Sequence, residues 1–587
     1  MSWIIGLIGS PIRVDLKYEL LHSHAASEMI AESENYVVIA NTQSATCLYS
    51  RRDDFSNDFF VLVGSPVLKE DGKYCLVDER AFSSLLKEDV STIHQHLAGQ
   101  YSVVRSNGNR IELFSDPNTL RSLFVAEYDK QIVFSSHLHL ISEIVQELTI
   151  DFRSFGSHWM AHNQLSEKSL VTGVSRICGS DLLSVETDTD RSVHGQPSRT
   201  LGAKKVTMES THFGISKKDD PFRDILGFLG SYQGNLKLAL SGGLDSRLLF
   251  ALTQHKRGRE FETFVFGEKT DPDVLIAQQI SEHFNIPCNY IESLSMSQAV
   301  QSGILYRYAT ETFCTTPLSA CMHSANYDRV FNNDIRSMVI DGAFGEIGRG
   351  QFYKKIEILR HLAFFKGISL TDYKKALSFR RADIFCKSIM ESMDEGFSED
   401  AENFVSFLLQ SQRQRNEDVA AIKYRRRNFF GYDQAWIDQF GLNMMPFGQN
   451  PFVYAILNVP TRKRRGNSFY KQATKQYSPF CTTVPLAKGS RTYPYTLPHS
   501  FLPLIFAVQK KFRKYRSLPA PAQSPYLKLR EFVFDIVRSR STRTYGPYDI
   551  DKIDKLVTGF YDGRTELHWD IDWFLSFELW RRGNKLT

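Results

Sequence analysis

The sequence predicts an α/β protein of two domains: a strand-rich first part, then a parallel sheet covered on both faces by helices and continued by a helical extension. Three observations predict it. The chain has 587 residues, more than the ~100–200 of an ordinary domain. Short β-branched and aromatic runs, broken by turn residues, fill roughly the first 150 positions. After about residue 235, apolar strands alternate with helical patterns, as they do where crossover helices join parallel strands.

In the first part, Val37-Val38-Ile39-Ala40, Phe59-Phe60-Val61-Leu62-Val63, Tyr101-Ser102-Val103-Val104 and Ile111-Glu112-Leu113-Phe114 read as strands. Glu70-Asp71-Gly72 and Asn107-Gly108-Asn109 supply turn chemistry between them. Helical patterns fall at 80–86 and 91–96. The polar segment 188–198 is the expected linker, which divides the chain into domains 1–200 and 201–587. Beyond it, strands are expected at 235–240, 263–266, 289–291 and 337–340, with helices at 247–252 and 274–284. The region after 355 is mostly helical and includes a basic helix at 462–475.

Apolar residues make up 42% and charged residues 23% of the chain, which excludes a wholly disordered protein. No window approaches ~18–20 uninterrupted apolar residues, so no membrane partner is expected. The apolar start has no basic flank and meets Pro11, Arg13 and Asp15 too early for a secretory signal. Eight scattered cysteines without zinc or redox spacing fit a reducing, cytoplasmic location. The net charge of +5 hides an asymmetry, because residues 421–530 hold 19 Lys and Arg against two Asp. Such a block implies either an anionic ligand or a solvated basic surface.

The most informative segment is Ser241-Gly242-Gly243-Leu244-Asp245-Ser246, entered from strand 236–240 and opening a helix. Two glycines permit a tight turn with inward N–H groups, and the helix N-terminus adds partial positive charge. Two hydroxyls complete a nest for phosphate or pyrophosphate, with Asp245 able to hold Mg²⁺ on it.

With Leu240 before it, this segment resembles the SGGxDS pyrophosphate loop of the asparagine-synthetase superfamily, and the resemblance extends over most of the chain. It implies a Rossmann-like PP-loop ATP pyrophosphatase domain that forms acyl-adenylates from ATP and Mg²⁺. Phe264, Phe266 and Gly267, followed by Asp271, Asp273 and Ala277, are similar to the family's adenine-binding strand end. The stretch from Val339 through Asp341, Gly342, Gly345 and Glu346 to Gly350 stands where the family has a Gly-rich acidic loop. The family's second metal-binding Asp corresponds to Gly345, so either Asp341 or Glu346 joins Asp245 on the metal, or the metal site is altered. Lys488, in Val484-Pro485-Leu486-Ala487-Lys488-Gly489-Ser490, matches the family lysine that stabilises charge at the α-phosphate. Glu346 and Lys488 are therefore the catalytic candidates.

The start of the chain, Ser2-Trp3-Ile4-Ile5-Gly6, is similar to glutamine amidotransferase domains, which implies an Ntn-type αββα sandwich. Leu97-Ala98-Gly99-Gln100, Asp116-Pro117-Asn118 and Phe134-Ser135-Ser136 match later landmarks of that fold. Its chemistry is missing. Ser2 replaces the nucleophilic cysteine, Trp3 replaces a small neighbour, Val63-Gly64-Ser65-Pro66 stands where Asn-Gly-Glu belongs, and Ala98 replaces the aspartate that holds the glutamine amine. The sandwich is thus expected to be vestigial.

An adenylating domain without a glutaminase needs another amine. The expectation is macrolactam formation on a precursor peptide, as in lasso-peptide cyclases, with β-lactam synthetases a related branch. Such a cyclase would work with a leader-peptide-binding protein and a protease. The aromatics Tyr424, Phe429, Phe430, Tyr432, Trp436, Tyr470, Tyr493 and Tyr495 suit an exposed peptide surface and equally a core. The alternatives are an asparagine synthetase fed by free ammonia, a tailoring amide ligase, and an inactive nucleotide- or RNA-binding protein. A thiolating tRNA enzyme would want catalytic cysteines, and Cys288, Cys314 and Cys321 show no such spacing.

Overall fold

The computed structural model describes residues 2–9, 27–51, 58–70, 73–179, 181–187, 204–207, 220–332, 334, 337–362, 368–410, 416–489, 491–497 and 524–587. The expected linker 188–198 lies outside them.

The first part forms two antiparallel sheets. One contains β1 (Ile4–Ile8), β2 (Ser27–Glu32) and β3 (Tyr36–Asn41). The other begins with β4 (Cys47–Ser50), β5 (Phe60–Glu70), β6 (Lys73–Leu76), β7 (Leu97–Ser106) and β8 (Arg110–Ser115). β9 (Leu123–Tyr128), β10 (Gln131–Ser135) and β11 (Val174–Ile177) return to the first sheet, in the order β11-β9-β10-β1-β3-β2. β12 (Asp181–Glu186) and β13 (Lys204–Thr207) extend the second, in the order β13-β12-β8-β7-β5-β4 with β6 on β5.

Alternation along the strands dictates the layers. In β1, Ile4 and Ile8 point between the sheets with Val38, Val61, Val63 and Leu113. Ile5 and Leu7 point outward onto helices Leu138–Ile144 and Phe152–Met160. In β5 the outward residues, Phe60 and Leu62, meet Phe82 and Ile93 of helices Glu79–Leu85 and Val90–His96. Helix, sheet, sheet and helix follow in turn, so the αββα sandwich implied by the resemblance is present.

The second sheet system comprises β14 (Leu236–Ala239), β15 (Glu262–Gly267), β16 (Cys288–Glu292), β17 (Met338–Ile340) and β18 (Leu442–Met444). All its pairings are parallel, in the order β16-β15-β14-β17-β18. Leu238, Val265 and Ile340 face one layer with helix Leu244–Arg257, and Phe264, Ile291 and Val339 face the other. This is the predicted doubly covered sheet. A two-stranded ribbon, β19 (Leu486–Lys488) with β20 (Arg491–Tyr493), lies beyond it. The C-terminal helices turn back on the sandwich: Trp573, Phe574, Phe577 and Trp580 of helix His568–Gly583 join Phe155 and Trp159 in one core. No described helix is long and apolar enough to cross a membrane.

Three expectations are corrected. The basic helix at 462–475 is broken into Thr461–Arg464 and Ser468–Tyr477, because Gly466 and Asn467 have φ of 68° and 67°. Of the two readings of the aromatics, the surface one is overturned: Tyr424, Phe430, Tyr432, Trp436, Tyr470, Tyr493 and Tyr495 are all buried, and Phe429 is half-buried. Three arginines of the basic block, Arg426, Arg427 and Arg464, are also internal. Arg426 donates to the Gly448 carbonyl and Asn450, Arg427 pairs with Glu167 at 2.8 Å, and buried Arg464 pairs with Asp418 at 2.7 Å. These arginines hold the fold together and form no open anion surface.

The sandwich and the parallel sheet meet through a buried polar network. Ser65 Oγ donates to Asp438 Oδ1 at 2.6 Å, and Arg121 reaches Asp438 Oδ2 at 3.2 Å. Gln100 Nε2 donates to Asn443 Oδ1 at 2.6 Å, and the Gly99 N–H donates to Gln449 at 3.0 Å. Breaking a buried pair strands the remaining charge at a cost of about 3–5 kcal/mol, whereas one lost neutral hydrogen bond costs about 1 kcal/mol. Urea unfolding should therefore show a much lower midpoint for Asp438→Ala than for Ser65→Ala.

Candidate active site

The loop between β14 and helix Leu244–Arg257 is built as its residue types require. Gly243 caps the helix. Ser241 Oγ and Ser246 Oγ lie 2.8 Å apart, and Ser241 Oγ accepts from the Gly243 N–H at 3.2 Å. The Gly242 N–H donates to Asp273 Oδ1 at 2.7 Å. A carboxylate thus sits on one of the N–H groups that a phosphate would use. The helix N-terminus directs its partial positive charge at the same place.

The loop opens into a cavity of about 500 Å³, within the range of small-molecule sites. Of the residues singled out from the sequence, Leu240, Ser241, Gly243, Asp245, Ser246, Phe264, Phe266, Asp273, Asp341 and Gly342 line it. Gly242 lies in the loop turned toward Asp273, Leu244 is buried in the core behind it, and Gly267 ends β15 against Asp271. Glu346 stands on the turn Gly345–Arg349, half-buried and outside the lining. Lys488 is exposed at the end of β19 and also outside the lining, although its strand is fixed to the loop: the Ala487 N–H donates to the Gly242 carbonyl at 2.9 Å.

Several residues in this region carry no functional expectation from the sequence. Arg247, fully buried, donates to the carbonyls of Cys481, Val484 and Pro485 at 2.6–3.1 Å and so ties the Lys488 segment to the loop helix. An arginine amid the apolar run of that helix is its only signal. His323 lines the cavity beside Phe266, its Nδ1 2.9 Å from Ser293 Oγ. Gln434 donates to Asp341 Oδ2 at 3.0 Å, and Asp433 adjoins them.

Two glycines bring the acidic loop onto Asp245. A Cβ at Gly342 would lie 2.7 Å from the Ser246 nitrogen, and one at Gly345 2.7 Å from Asp245 Cβ and Cγ. Position 345, where the resembling family has its second metal-binding Asp, therefore has no room for a side chain here. Asp245 Oδ2 instead accepts from Arg349 at 2.5 Å.

The carboxylates expected to share Mg²⁺ do not form a metal cage. Asp245 Oδ2 is taken by Arg349, and Asp341 accepts from the Ala343 N–H through Oδ1 and from Gln434 through Oδ2. Among the described residues, no group of three or more His, Cys, Asp or Glu is placed to hold a metal ion. With Arg349 on Asp245, these carboxylates are not arranged around a cation in this structure.

Electrostatically the site is strained. Burial pushes Asp245 up to about 6, with Glu346 adding to the shift and Arg349 opposing it. Burial likewise raises Asp341 to about 6 and Asp433 to about 7, the latter also repelled by Asp341. Cys314 and Cys321 are buried and their thiols pushed up, Cys321 to about 12, which deprives them of thiolate character.

Residues 233–323 match the family model described as asparagine synthase. The match covers the serine-glycine loop, β15, β16 and His323, so this segment is similar to asparagine synthases. No curated protein matches the chain. Among solved structures it is similar to glutamine phosphoribosylpyrophosphate amidotransferase from B. subtilis complexed with ADP and GMP, at 12% identity over 61% of this chain and 79% of that one, TM-score 0.22. It is also similar to a structure described as the allosteric regulatory enzyme of purine biosynthesis, at 13% identity over 61% and 78%, TM-score 0.23. A U34-tRNA thiolase from Methanococcus maripaludis with its 4Fe-4S cluster is similar at 10% identity over 53% and 74%, TM-score 0.19. These likenesses are loose, and the fold rests on the sheet orders themselves.

Two outcomes are expected. Gly345→Ala, which drives a methyl group into Asp245, should weaken ATP binding about tenfold or more in a calorimetric titration. Because the folded pKa of Asp433 lies above its unfolded value, the folded state binds the extra proton between about pH 4 and 7, and stability is lost as pH rises through that window. Asp433→Asn should therefore flatten the fall in urea midpoint between pH 4.5 and 7.5.

Proposed function

We propose that the protein is an amide-forming ligase that uses ATP to adenylate a substrate carboxylate, releases pyrophosphate, and lets an amine from a source other than glutamine displace AMP. The observation that carries this reading is the pairing of an intact nucleotide loop with a first domain whose glutamine-binding positions are consumed by the domain joint. Ser2 is fully buried, and Arg121 donates to its carbonyl at 2.7 Å and its Oγ at 3.2 Å. Ser65, Gly99 and Gln100 spend polar groups on Asp438, Gln449 and Asn443. Groups committed in this way do not grip glutamine.

In the proposed reaction the serines and the Gly243 turn receive the triphosphate, while the end of β15, with Phe264, Phe266 and His323, receives the base. Entry of phosphate displaces Asp273 from the Gly242 N–H. Substrate carboxylate attacks the α-phosphate, and Lys488, brought up by its tethered strand, meets the growing negative charge. When carboxylate and amine belong to one molecule, attack on the acyl-adenylate is intramolecular and closes a ring, with the acceleration that proximity supplies. The finer form of the proposal is thus a macrolactam-forming cyclase acting on a precursor peptide, served by a leader-peptide-binding protein and a protease.

ATP–pyrophosphate exchange tests the reading across candidate precursor peptides, aspartate and other amino acids. Exchange should depend on a carboxylate substrate and fall by about a hundredfold or more in Lys488→Ala. Exchange with a peptide but not with aspartate supports the cyclase form. Exchange with aspartate, followed by asparagine formation with ammonium, would replace it with a free-ammonia synthetase. Absence of exchange throughout the panel would contradict adenylation.

A further inference from the structure

We propose that Arg349 takes the place of a protein-held divalent cation at the pyrophosphate loop, neutralising Asp245 so that polyphosphate can enter beside it. The inference rests on the nucleotide-binding reading above and concerns how that site balances its charge.

A polyphosphate carries several negative charges, and Asp245 lines the cavity that would receive it. A bare carboxylate there repels the ligand. One remedy is a cation held between carboxylates. The required second carboxylate is absent at Gly345, where a side chain would collide with Asp245. Of the other candidates, Asp341 has both oxygens hydrogen-bonded, to Ala343 and Gln434, and Glu346 stands outside the cavity lining. The guanidinium of Arg349 provides the other remedy. It lies 2.5 Å from Asp245 Oδ2, and the two side chains are only 16% and 17% exposed.

The surroundings confine Arg349 to this role. It ends the turn Gly345–Arg349, where the Ile347 carbonyl accepts from Arg464 at 2.8 Å and Gly348 packs on the Tyr470 ring. Arg464 is itself anchored by Asp418. A permanently charged guanidinium is thereby held against Asp245 by a buried scaffold. Asp245 Oδ1, Arg349 Nε and the Tyr470 hydroxyl are all buried without a hydrogen-bond partner. Unpaired groups of this kind in one place mark a site completed by a ligand rather than a finished core. Arg349 is outside the cavity lining and acts through Asp245, so it is a positioning residue.

Calorimetric titration of ATP into the full-length protein, in EDTA and in excess Mg²⁺, tests this. Wild type should bind ATP in EDTA within about threefold of its affinity in Mg²⁺. Arg349→Gln should lose about tenfold or more in EDTA and recover when Mg²⁺ is supplied. Arg349→Lys, which keeps the charge, should lose less. The double variant Asp245→Asn/Arg349→Gln should regain binding in EDTA, since no unpaired carboxylate then faces the phosphates. A merely structural role for Arg349 would not produce that rescue. The proposal is overturned if wild type requires Mg²⁺ for binding, or if the EDTA defect of Arg349→Gln persists in the double variant. Should Arg349→Gln fail to fold, the wild-type ratio between EDTA and Mg²⁺ still decides. Magnesium-dependent binding by wild type removes the role of Arg349 and leaves the ligase reading standing, whereas no ATP binding under either condition removes both.

Discussion

The contact between Asp245 and the glycine-bearing turn at 342–349 is the constraint on which the site depends. A helix N-terminus, two serine hydroxyls and a tight glycine turn make an anion nest, but the nest also contains a carboxylate. The chain accommodates it by bringing a second loop close enough for Arg349 to reach it at 2.5 Å, and that approach requires glycine at 342 and 345. The same closeness removes the room for a second acidic side chain. Charge balance and steric fit are therefore settled together.

A parallel logic governs the joint between the two sheet systems. The sandwich retains the alternation that builds four layers, yet its edge of Ser65, Gly99, Gln100 and Arg121 faces Asp438, Asn443 and Gln449 rather than a substrate. Burial pushes the Asp438 carboxyl up to about 6, opposed by Arg121 and by hydrogen bonds from Ser65, Gln100 and Asn443. Such a network stabilises only when its members are paired, so the polar residues of this edge hold the two sheet systems together. The contribution is mechanical: the sandwich packs against β18 and receives the C-terminal helices through Phe155 and Trp159.

The loop and its flanking strands are legible in the sequence because their residue types have few other uses. Two glycines and two serines at a strand-to-helix junction specify a turn and an anion nest, and β-branched and aromatic runs bounded by turn residues specify strands. The aromatics between 424 and 495 mislead because aromatic residues set among arginines resemble a binding surface. In the fold Arg426 and Arg464 turn inward and bond to the carbonyls of Gly448 and Ile347. Carbonyl partners are common to every residue and leave no mark in a sequence. For the same reason the anchoring by Arg247 of the Lys488 strand is invisible there. Gly345 stands out as a departure from the family pattern, but only the proximity of Asp245 explains it.

The most direct measurement is a crystal structure of the ATP complex grown with Mn²⁺ to mark any cation. The account places the triphosphate on residues 241–246, with Arg349 still paired to Asp245, Asp273 released from the Gly242 N–H, and any Mn²⁺ held by phosphate oxygens. A Mn²⁺ ion bridging Asp245 to Asp341 or Glu346 with Arg349 swung away, or ATP bound elsewhere, would contradict it.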